Sequence, residues 1–444
     1  MSVKRFNLSV NKKIPPFSKT IKVDTDKSIS IRSFLIGSIC QNISYAKNVL
    51  ESEDVISTIK CLKKLGVKIV KLKTGYYKIY GKGLGSFYGK ENFELNFGNS
   101  GTLARLLIGI LSTTKGIKVK LKGDKSLNKR NMRQLIDLMS EFGAEFLPKK
   151  KYNFPLKLIS TDLPIGINYE TGVSAQLKSA VMLAGLNSYG NTQVFIKKKS
   201  RDHTENMLRG NSQSIKLAKN KILIFGKKNL NPINIDVPGD PSSAAFFTAL
   251  TLLNKKSYLK IKNICLNKTR IGFYQLLKKR GAKIKFQNMR KKNNEMRGDL
   301  IVKSCKLKPI NSSKRYYVNS TDEYPILFII AALTEGVSVF KGIDDLKNKE
   351  SDRIKEMQKI LKQIGVKSRA SNGEVKIYGK KITSIKNKGI FVENLGDHRI
   401  CMSAFVLSVL IGAKTRIKNF ETVFTSSPSF LKIMGNLGAK FEKN

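Results

Sequence analysis

The chain has 444 residues, of which 41% are hydrophobic, so it is long and apolar enough for two or three globular domains and is not mainly disordered. Its 83 basic and 32 acidic residues give a formal net charge of +51, which suggests a nucleic-acid or anionic-membrane partner. The lysines are spread along the whole chain, however, and neither a zinc-finger spacing nor an RNP-type aromatic pattern is present, so we interpret the charge as a lysine-rich solvated surface.

Six short polar motifs, each followed by an apolar run, predict six helix starts. In chain order they are DKSIS (26–30), GNSGT (98–102), VSAQL (173–177), GDPSSA (239–244), TDEYP (321–325) and GDHRI (396–400). Their central residues lie 72, 74, 68, 80 and 76 positions apart, taken at Ser28, Ser100, Ser174, Ser242, Asp322 and His398. Six segments of similar length predict a sixfold internal repeat.

A second pattern recurs between these motifs: an amphipathic helix that ends in glycine and leads into a strand. In DVISTIKCLKKLGVKIV, Val55, Ile59 and Leu62 share one helix face, and Gly66 can take the left-handed cap. The same pattern returns in NMRQLIDLMSEFGAEF, RIGFYQLLKKRGAKIKF, RIKEMQKILKQIGVK and SFLKIMGNLGAKFE, and it has diverged near ENMLRG. The sequence therefore predicts an α/β protein of six subdomains, each with two helices and several short strands.

Two further segments are interpreted from their composition. VPGDP (237–241) interrupts the pattern near the middle of the chain and predicts a domain boundary. QNMRKKNNEMRG (287–298) is polar and basic, and we expect an exposed loop there.

The polar motifs are candidate anion sites, because backbone N–H groups at a helix start are unpaired and the helix dipole favours negative charge there. A single motif of this kind is more often an ordinary N-cap. Seven of the 16 arginines nevertheless lie in or beside the motifs and helix starts, where their forked donors suit carboxylate or phosphate. They are Arg32, Arg105, Arg130, Arg201, Arg270, Arg353 and Arg399. This clustering predicts that several anionic groups are bound.

Candidate acids and bases lie in the same places. They are Lys27, Asp322, Glu323, Glu350, Asp352 and His398. A lone acid at a helix start can instead be a simple cap, and His203 can be a structural histidine. The five cysteines form no CxxC pair, only two histidines are present, and the N-terminus has no signal-peptide core, so we expect reduced thiols, no metal site and a cytoplasmic protein without a membrane span.

Nine segments in order resemble the 5-enolpyruvylshikimate-3-phosphate synthase family. They are DKSISIR, GNSGTLAR, GDKSLNKR, SAQLKSA, SRDHTENML, VPGDPSSAAFF, TDEYPILFIIAALTEG, KESDRI and GDHRICM. The resemblance implies an enolpyruvyl-transferase-like, inside-out α/β barrel of six βαβαββ subdomains, in two domains that close around the substrates. We expect residues 1–22 and 239–444 in one discontinuous domain and residues 23–238 in the other, three subdomains each, with hinges near 21–26 and 237–241.

The resemblance also implies the reaction. Members transfer the enolpyruvyl group of phosphoenolpyruvate to the 5-hydroxyl of shikimate 3-phosphate in aromatic amino-acid biosynthesis, without a metal or organic cofactor. The expected partners are therefore these two small molecules, with no nucleic acid and no membrane, and the expected state is a monomer.

The family's functional residues carry over to positions of this sequence. The shikimate 3-phosphate contacts implied are Lys27, Ser28, Arg32, Ser174, Gln176, Ser200, Arg201, Asp322 and Lys349. Those to phosphoenolpyruvate are Lys27, Asn99, Gly101, Arg130, Gln176, Arg353 and Arg399. Asp322 resembles the acid that takes the hydroxyl proton, and Glu350 with Lys27 resembles the proton donor and acceptor at the methylene carbon. Arg105 and His398 are expected to contact the site residues without touching the substrates themselves.

Two departures and two alternatives accompany the resemblance. Many members carry a lysine where Thr425 stands, which puts one phosphoenolpyruvate contact in doubt. RDHTE, GDKS, SAQLK and NKTR are similar to the pattern of the family's second class, whose members often tolerate glyphosate, so we expect moderate tolerance. The related transferase acting on UDP-N-acetylglucosamine is the alternative enzyme, although no cysteine lies between Cys61 and Cys265, where its reactive cysteine is expected. A basic nucleic-acid-binding protein is the alternative of another class.

Overall fold

The computed structural model describes residues 5–89, 93–385, 389–393 and 395–444. Its α-helices begin at each of the six predicted starts, which confirms that part of the sequence analysis. In chain order they are α1 Lys27–Ile39, α2 Glu53–Lys64, α3 Gly101–Ser112, α4 Lys125–Asn128, α5 Arg133–Glu141, α6 Ala175–Leu186, α7 His203–Leu208, α8 Pro241–Leu253, α9 Gly272–Lys278, α10 Tyr317–Ser320, α11 Tyr324–Ala332, α12 Arg353–Gln363, α13 His398–Ile411 and α14 Phe430–Asn436.

Most of the strands are short, with two to six residues, and three strands have eight to ten. They are β1 Leu8–Val10, β2 Ser18–Ile21, β3 Ile43–Lys47, β4 Ile69–Lys73, β5 Tyr76–Tyr80, β6 Glu94–Asn96, β7 Lys118–Lys122, β8 Glu145–Leu147, β9 Leu156–Ile159, β10 Asn168–Glu170, β11 Asn191–Phe195, β12 Ile215–Leu217, β13 Lys221–Phe225, β14 Asn234–Asp236, β15 Tyr258–Cys265, β16 Lys283–Lys292, β17 Glu295–Lys303, β18 Asn311–Ser312, β19 Gly336–Lys341, β20 Ser368–Ser371, β21 Glu374–Gly379, β22 Ile390–Val392, β23 Thr415–Ile417 and β24 Glu442–Lys443.

These strands form six four-stranded sheets. Their strand orders are β14-β3-β5-β4, β6-β7-β9-β8, β10-β11-β13-β12, β16-β17-β15-β2, β18-β19-β21-β20 and β22-β23-β1-β24. Each sheet has one parallel pair that includes an edge strand, such as β6 with β7 or β18 with β19. A parallel pair needs a crossover connection, and a helix commonly supplies it, as α3 does between β6 and β7.

The chain divides into two compact units. The first unit comprises Met1–Asp24, Pro238–Arg290 and Met296–Asn444, and the second comprises Thr25–Val237 and Lys291–Glu295. The second unit holds the sheets that contain β3, β7 and β11, and the first holds the remaining three.

The core of each unit contains three largely apolar helices that are buried along almost their whole length. In the second unit α3 packs against both α1 and α6, and in the first unit α8, α11 and α13 pack against one another. Every residue of α1 from Ile29 to Ile39 is buried, and so is every residue of α8 before Leu253. A helix without a polar face is stable only when it is enclosed, which is why these runs lie inside. Gly109 permits the α3–α6 contact, because a Cβ there would lie 2.6 Å from the Ala180 carbonyl oxygen.

The outer helices follow the predicted amphipathic pattern. In α2, Val55, Thr58 and Leu62 are buried while Ile56 and Lys60 face solvent. Gly66 follows this helix with φ +83°, in the left-handed region that favours glycine. The pattern of helix, glycine and strand is confirmed.

The prediction of an exposed loop at residues 287–298 was wrong. Most of the segment belongs to β16 and β17, which are joined by Asn293 and Asn294. These two residues have φ values of 51° and 60°, the signature of a two-residue hairpin turn that asparagine tolerates well. The charged side chains lie largely on exposed positions of β16, so polarity here reflects an exposed strand and not a loop.

All five cysteines are free thiols. Cys40, Cys61, Cys265 and Cys401 are buried free thiols, and Cys305 is half-buried. Burial raises the pKa of Cys40 and of Cys61 to about 12, so both are protonated thiols at neutral pH.

Among the helices described above, none is both long and apolar enough to cross a membrane.

Candidate active site

The first group of predicted residues lies at the start of α1 in the second unit. Asp26 caps the helix by accepting a hydrogen bond from the Ile29 N–H over 2.9 Å. Nζ of Lys27 lies 2.8 Å from Oδ2 of the buried Asp54. One turn further, Nη1 of Arg32 donates to the Ser28 hydroxyl over 2.6 Å. The capped helix start thus presents an ammonium group, a hydroxyl and a guanidinium within one turn.

A second group surrounds the start of α3. The Ser100 hydroxyl caps α3 by accepting from the Leu103 N–H. A Cβ added at Gly101 would lie 2.7 Å from Nη1 of Arg130 and 2.8 Å from Nη1 of Arg105. The absence of a side chain at Gly101 therefore lets both guanidinium groups approach the helix start.

Gln176 links the start of α6 to α3. Its Oε1 accepts from Nη1 of Arg105 over 2.9 Å, and its Nε2 donates to the Thr102 hydroxyl over 2.9 Å. Ser174 caps α6 through its hydroxyl. Arg105 thus contacts both Gln176 and the Gly101 carbonyl.

Three other predicted residues of this unit, Asn99, Ser200 and Arg201, lie just before helix starts in the sequence. Asn99 donates to Oδ2 of Asp124 over 2.7 Å, which ties the GNSGT motif to the cap of α4. Arg201 is half-buried. Ser200 is buried, and its Oγ has no hydrogen-bond partner in the described residues, which marks a polar group suited to a ligand.

In the first unit, Arg353 brings three carboxylates together. Its Nε lies 2.9 Å from Oδ2 of Asp397, its Nη2 lies 2.7 Å from Oε2 of Glu350, and its Nη1 lies 3.7 Å from Oδ1 of Asp322. Arg353 is 2% exposed and Asp397 is fully buried. Burial alone lowers the pKa of Arg353, but Asp397, Glu350 and Asp322 outweigh it and raise the pKa above its usual value. The guanidinium is therefore permanently charged and fixed in position.

The start of α13 carries the other predicted arginine. Asp397 caps this helix by accepting from the Arg399 N–H over 2.9 Å. The Arg399 guanidinium is buried, lies 5.9 Å from the centre of the Phe246 ring, and has Nε and Nη1 without a hydrogen-bond partner in the ranges described. Buried guanidinium donors of this kind favour an anionic ligand. His398, beside it, is also buried.

Lys349 and Thr425 both have intramolecular partners. Nζ of Lys349 lies 2.5 Å from Oδ2 of Asp345, which also accepts from the Tyr317 hydroxyl over 2.7 Å. The Thr425 hydroxyl donates to the Thr422 carbonyl over 2.8 Å, and Thr425 is 8% exposed. Thr425 is uncharged, so it supplies no cationic group at this position.

The sequence analysis did not single out Asp397 or Asp54, although both contact predicted residues. Asp397 directly precedes His398 inside the GDHRI motif, at the position where an N-cap is expected, so a local signal was present. Asp54 lies in the first turn of α2 and has no such motif. The second unit offers ammonium and guanidinium donors for anions. The first unit offers guanidinium donors and carboxylates that can transfer protons.

Known proteins of one family match this chain over nearly its whole length. The family model described as EPSP synthase (3-phosphoshikimate 1-carboxyvinyltransferase) matches residues 11–434. A 3-phosphoshikimate 1-carboxyvinyltransferase from Zymomonas mobilis is 38% identical over 440 residues, covering 98% of this chain and 97% of that protein. One from Sulfurihydrogenibium is 37% identical over 425 residues, covering 94% and 97%.

Solved structures of enolpyruvyl transferases also match nearly the whole chain. The EPSP synthase of Acinetobacter baumannii matches with a TM-score of 0.85 and 33% identity, covering 99% of this chain and 100% of that chain. The enolpyruvyl transferase NikO from Streptomyces tendae matches with a TM-score of 0.79 at 11% identity, covering 99% of both chains, which concerns the fold alone. With the six small sheets, these neighbours confirm the predicted inside-out α/β architecture.

Proposed function

The chain belongs to the EPSP synthase (3-phosphoshikimate 1-carboxyvinyltransferase) family, and from this membership we propose that it transfers the enolpyruvyl group of phosphoenolpyruvate to the 5-hydroxyl of shikimate 3-phosphate. The match over residues 11–434 carries the proposal, because that range includes every site residue from Lys27 to Arg399. The reaction belongs to the shikimate pathway, which leads to chorismate and the aromatic amino acids. We assign the chain to the cytoplasm and to a monomeric state within this proposal.

The reaction proceeds by addition and elimination. In the addition, the 5-hydroxyl oxygen bonds to C2 of phosphoenolpyruvate, the hydroxyl proton leaves, and C3 gains a proton to become a methyl group. In the elimination, the C2–O bond to phosphate breaks and a proton leaves C3, which restores the double bond. The protein must therefore supply a base for the hydroxyl and a group that gives and takes a proton at C3.

Nine residues would hold shikimate 3-phosphate. They are Lys27, Ser28, Arg32, Ser174, Gln176, Ser200, Arg201, Asp322 and Lys349. The buried Ser200 hydroxyl supports this assignment, since an unpartnered hydroxyl suits a phosphate oxygen. The charged fork of Arg32 suits an anionic substrate in the same way.

The phosphate and carboxylate of phosphoenolpyruvate would be held by Lys27, Asn99, Gly101, Arg130, Gln176, Arg353 and Arg399. The forked guanidinium of an arginine can bind a carboxylate or phosphate with two parallel hydrogen bonds, whereas a lysine acts as a point charge. The buried donors of Arg399 and the close approach of Arg130 to Gly101 support the assignment.

Proton transfer would be carried out by Asp322, Glu350 and Lys27. Asp322 would take the proton of the 5-hydroxyl, and Glu350 with Lys27 would give and remove the proton at C3. The ion pairs of Arg353 with Asp322 and Glu350 support these roles, because they hold both carboxylates in defined positions.

A methyl group at Gly101 should weaken phosphoenolpyruvate binding. In Gly101→Ala the new Cβ would lie 2.7 Å from Nη1 of Arg130, so the guanidinium must move. We expect the KM for phosphoenolpyruvate to rise about tenfold, the factor given by about 1.4 kcal/mol of lost binding energy. The KM for shikimate 3-phosphate should change much less. Gly210→Ala is the matched control, because its Cβ would meet nothing within 4 Å; equal changes in both KM values for Gly101→Ala would contradict the prediction.

The proposed function is tested by coupled phosphate release from the purified chain with both substrates. Phosphate should appear only when shikimate 3-phosphate and phosphoenolpyruvate are present together. Replacing shikimate 3-phosphate by UDP-N-acetylglucosamine tests the alternative enzyme and should give no release. A folded protein that releases no phosphate with the first pair refutes the proposal.

A further inference from the structure

One part of the SRDHTENML segment has no role in the reaction as proposed so far. The function uses Ser200 and Arg201, yet every residue of α7, from His203 to Leu208, is buried. Thr204 is 1% exposed and lies beside α1 and α6, two helices that carry proposed substrate contacts. A buried hydroxyl at this place is a candidate for holding a site residue in position.

The hydroxyls of Thr204 and Ser179 hold the Arg32 guanidinium. Nε of Arg32 donates to Oγ1 of Thr204 over 2.9 Å, and Nη2 donates to Oγ of Ser179 over 3.3 Å. The two hydroxyl oxygens lie 2.8 Å apart. Arg32 belongs to α1, Ser179 to α6 and Thr204 to α7, so three helices meet at one guanidinium.

The direction of these hydrogen bonds follows from the number of protons. Ser179 has one hydroxyl proton and donates it to the Ala175 carbonyl over 2.8 Å. Thr204 must therefore donate its own proton to Ser179, which leaves a lone pair of Thr204 to accept from Arg32. The bonds run from Nε of Arg32 through Thr204 and Ser179 to the backbone of α6, and Nη2 of Arg32 joins the same network directly at Ser179.

An ion pair and a hydrogen bond fix α7 itself. Nζ of Lys178 on α6 lies 2.5 Å from Oε1 of Glu205, and both side chains are buried. Nδ1 of His203 lies 2.7 Å from Oε1 of Glu295, which is also buried. With the residues before and after it held in this way, the Thr204 hydroxyl has little freedom to move.

We propose that Thr204, assisted by Ser179, is a positioning residue that orients Arg32 for the anionic groups of shikimate 3-phosphate. A hydroxyl accepts a hydrogen bond from a guanidinium without adding a negative charge, so these two acceptors fix Arg32 without reducing its charge. The inference rests on the proposed function, in which Arg32 contacts this substrate.

Thr204→Val tests the inference, because valine keeps the shape of threonine and removes the hydroxyl. We expect the KM for shikimate 3-phosphate to rise about tenfold, the effect of losing one hydrogen bond to a charged group. The KM for phosphoenolpyruvate should stay within about twofold of the wild-type value, because Arg32 does not serve that substrate. Thr204→Ser keeps the hydroxyl and should restore the wild-type KM.

Thr114→Val is the matched control. Thr114 is fully buried in the second unit, and its hydroxyl donates to the Ile110 carbonyl over 2.8 Å, so its removal costs a comparable buried hydrogen bond away from Arg32. Its thermal stability should fall as in Thr204→Val, while both KM values stay unchanged. If Thr204→Val does not fold, Ser179→Ala removes the other acceptor of Arg32 and should raise the same KM.

Three outcomes separate the inference from the proposed function. A wild-type protein without phosphate release overturns both. If Arg32→Ala raises the KM for shikimate 3-phosphate while folded Thr204→Val and Ser179→Ala do not, the proposed function stands and the inference is overturned. A selective rise in this KM for Thr204→Val, reversed in Thr204→Ser, supports the inference.

Discussion

Replacing Glu350 with glutamine should lower kcat about a thousandfold, within the range that a positioned general acid or base contributes. Glutamine keeps the size of the side chain, and its amide oxygen can still accept the hydrogen bond that Nη2 of Arg353 donates over 2.7 Å. It cannot give or take a proton at C3 of phosphoenolpyruvate. The loss should therefore appear in kcat, with both KM values within about threefold of wild type.

Phosphate release at saturating concentrations of both substrates measures this effect. Glu356→Gln is the matched control, because Glu356 lies on α12 and pairs with Lys359 at 2.8 Å, outside the proposed site. Its kcat should equal that of the wild type. A Glu350→Gln enzyme that turns over at the wild-type rate would remove Glu350 from the proton-transfer step.

Replacing Arg353 with methionine should lower the free energy of unfolding strongly and abolish turnover. The change removes the buried cation that contacts Asp397, Glu350 and Asp322, so their charges are no longer compensated by it. Breaking a buried ion pair by removing one partner costs about 3–5 kcal/mol. Urea denaturation should show this as a lower midpoint, and phosphate release should fall to background.

A double variant separates the stability effect from the binding effect. Asp397→Asn in the Arg353→Met background removes the most buried of the three carboxylates, and asparagine can still cap α13. Part of the lost stability should return, but activity should not, since the proposed phosphoenolpyruvate contact is still missing. Recovery of turnover in the double variant would show that Arg353 acts only by stabilising the fold.

The helix starts could be predicted from sequence because capping is a local property. In GNSGT and VSAQL the capping serine and the apolar run that follows are neighbours in the chain, and Ser100 and Ser174 do cap α3 and α6. The same locality explains why the helix–glycine–strand pattern could be recognised. The six repeats of the fold follow from these short-range signals.

The partners of the site residues could not be predicted in this way. Asp397 lies 44 residues from Arg353, and Thr204 lies 172 residues from Arg32, so no local pattern connects either pair. The hairpin at residues 287–298 was missed for another reason. Its exposed strand carries lysine and arginine, which composition assigns to a loop, and the turn is formed by two asparagines instead of a glycine pair.

The sheet that contains β1 has a consequence for the order in which the chain folds during synthesis. β1 lies between β23 and β24, with Leu8 opposite Ile417 on one side and Lys443 on the other. β1 therefore cannot complete its sheet until β23 and β24, much further along the chain, have been synthesised. The second unit is built almost entirely from the continuous stretch Thr25–Val237. Since domains generally fold as units during synthesis, we expect the second unit to form first and the first unit to complete its fold only after β23 and β24 have been synthesised.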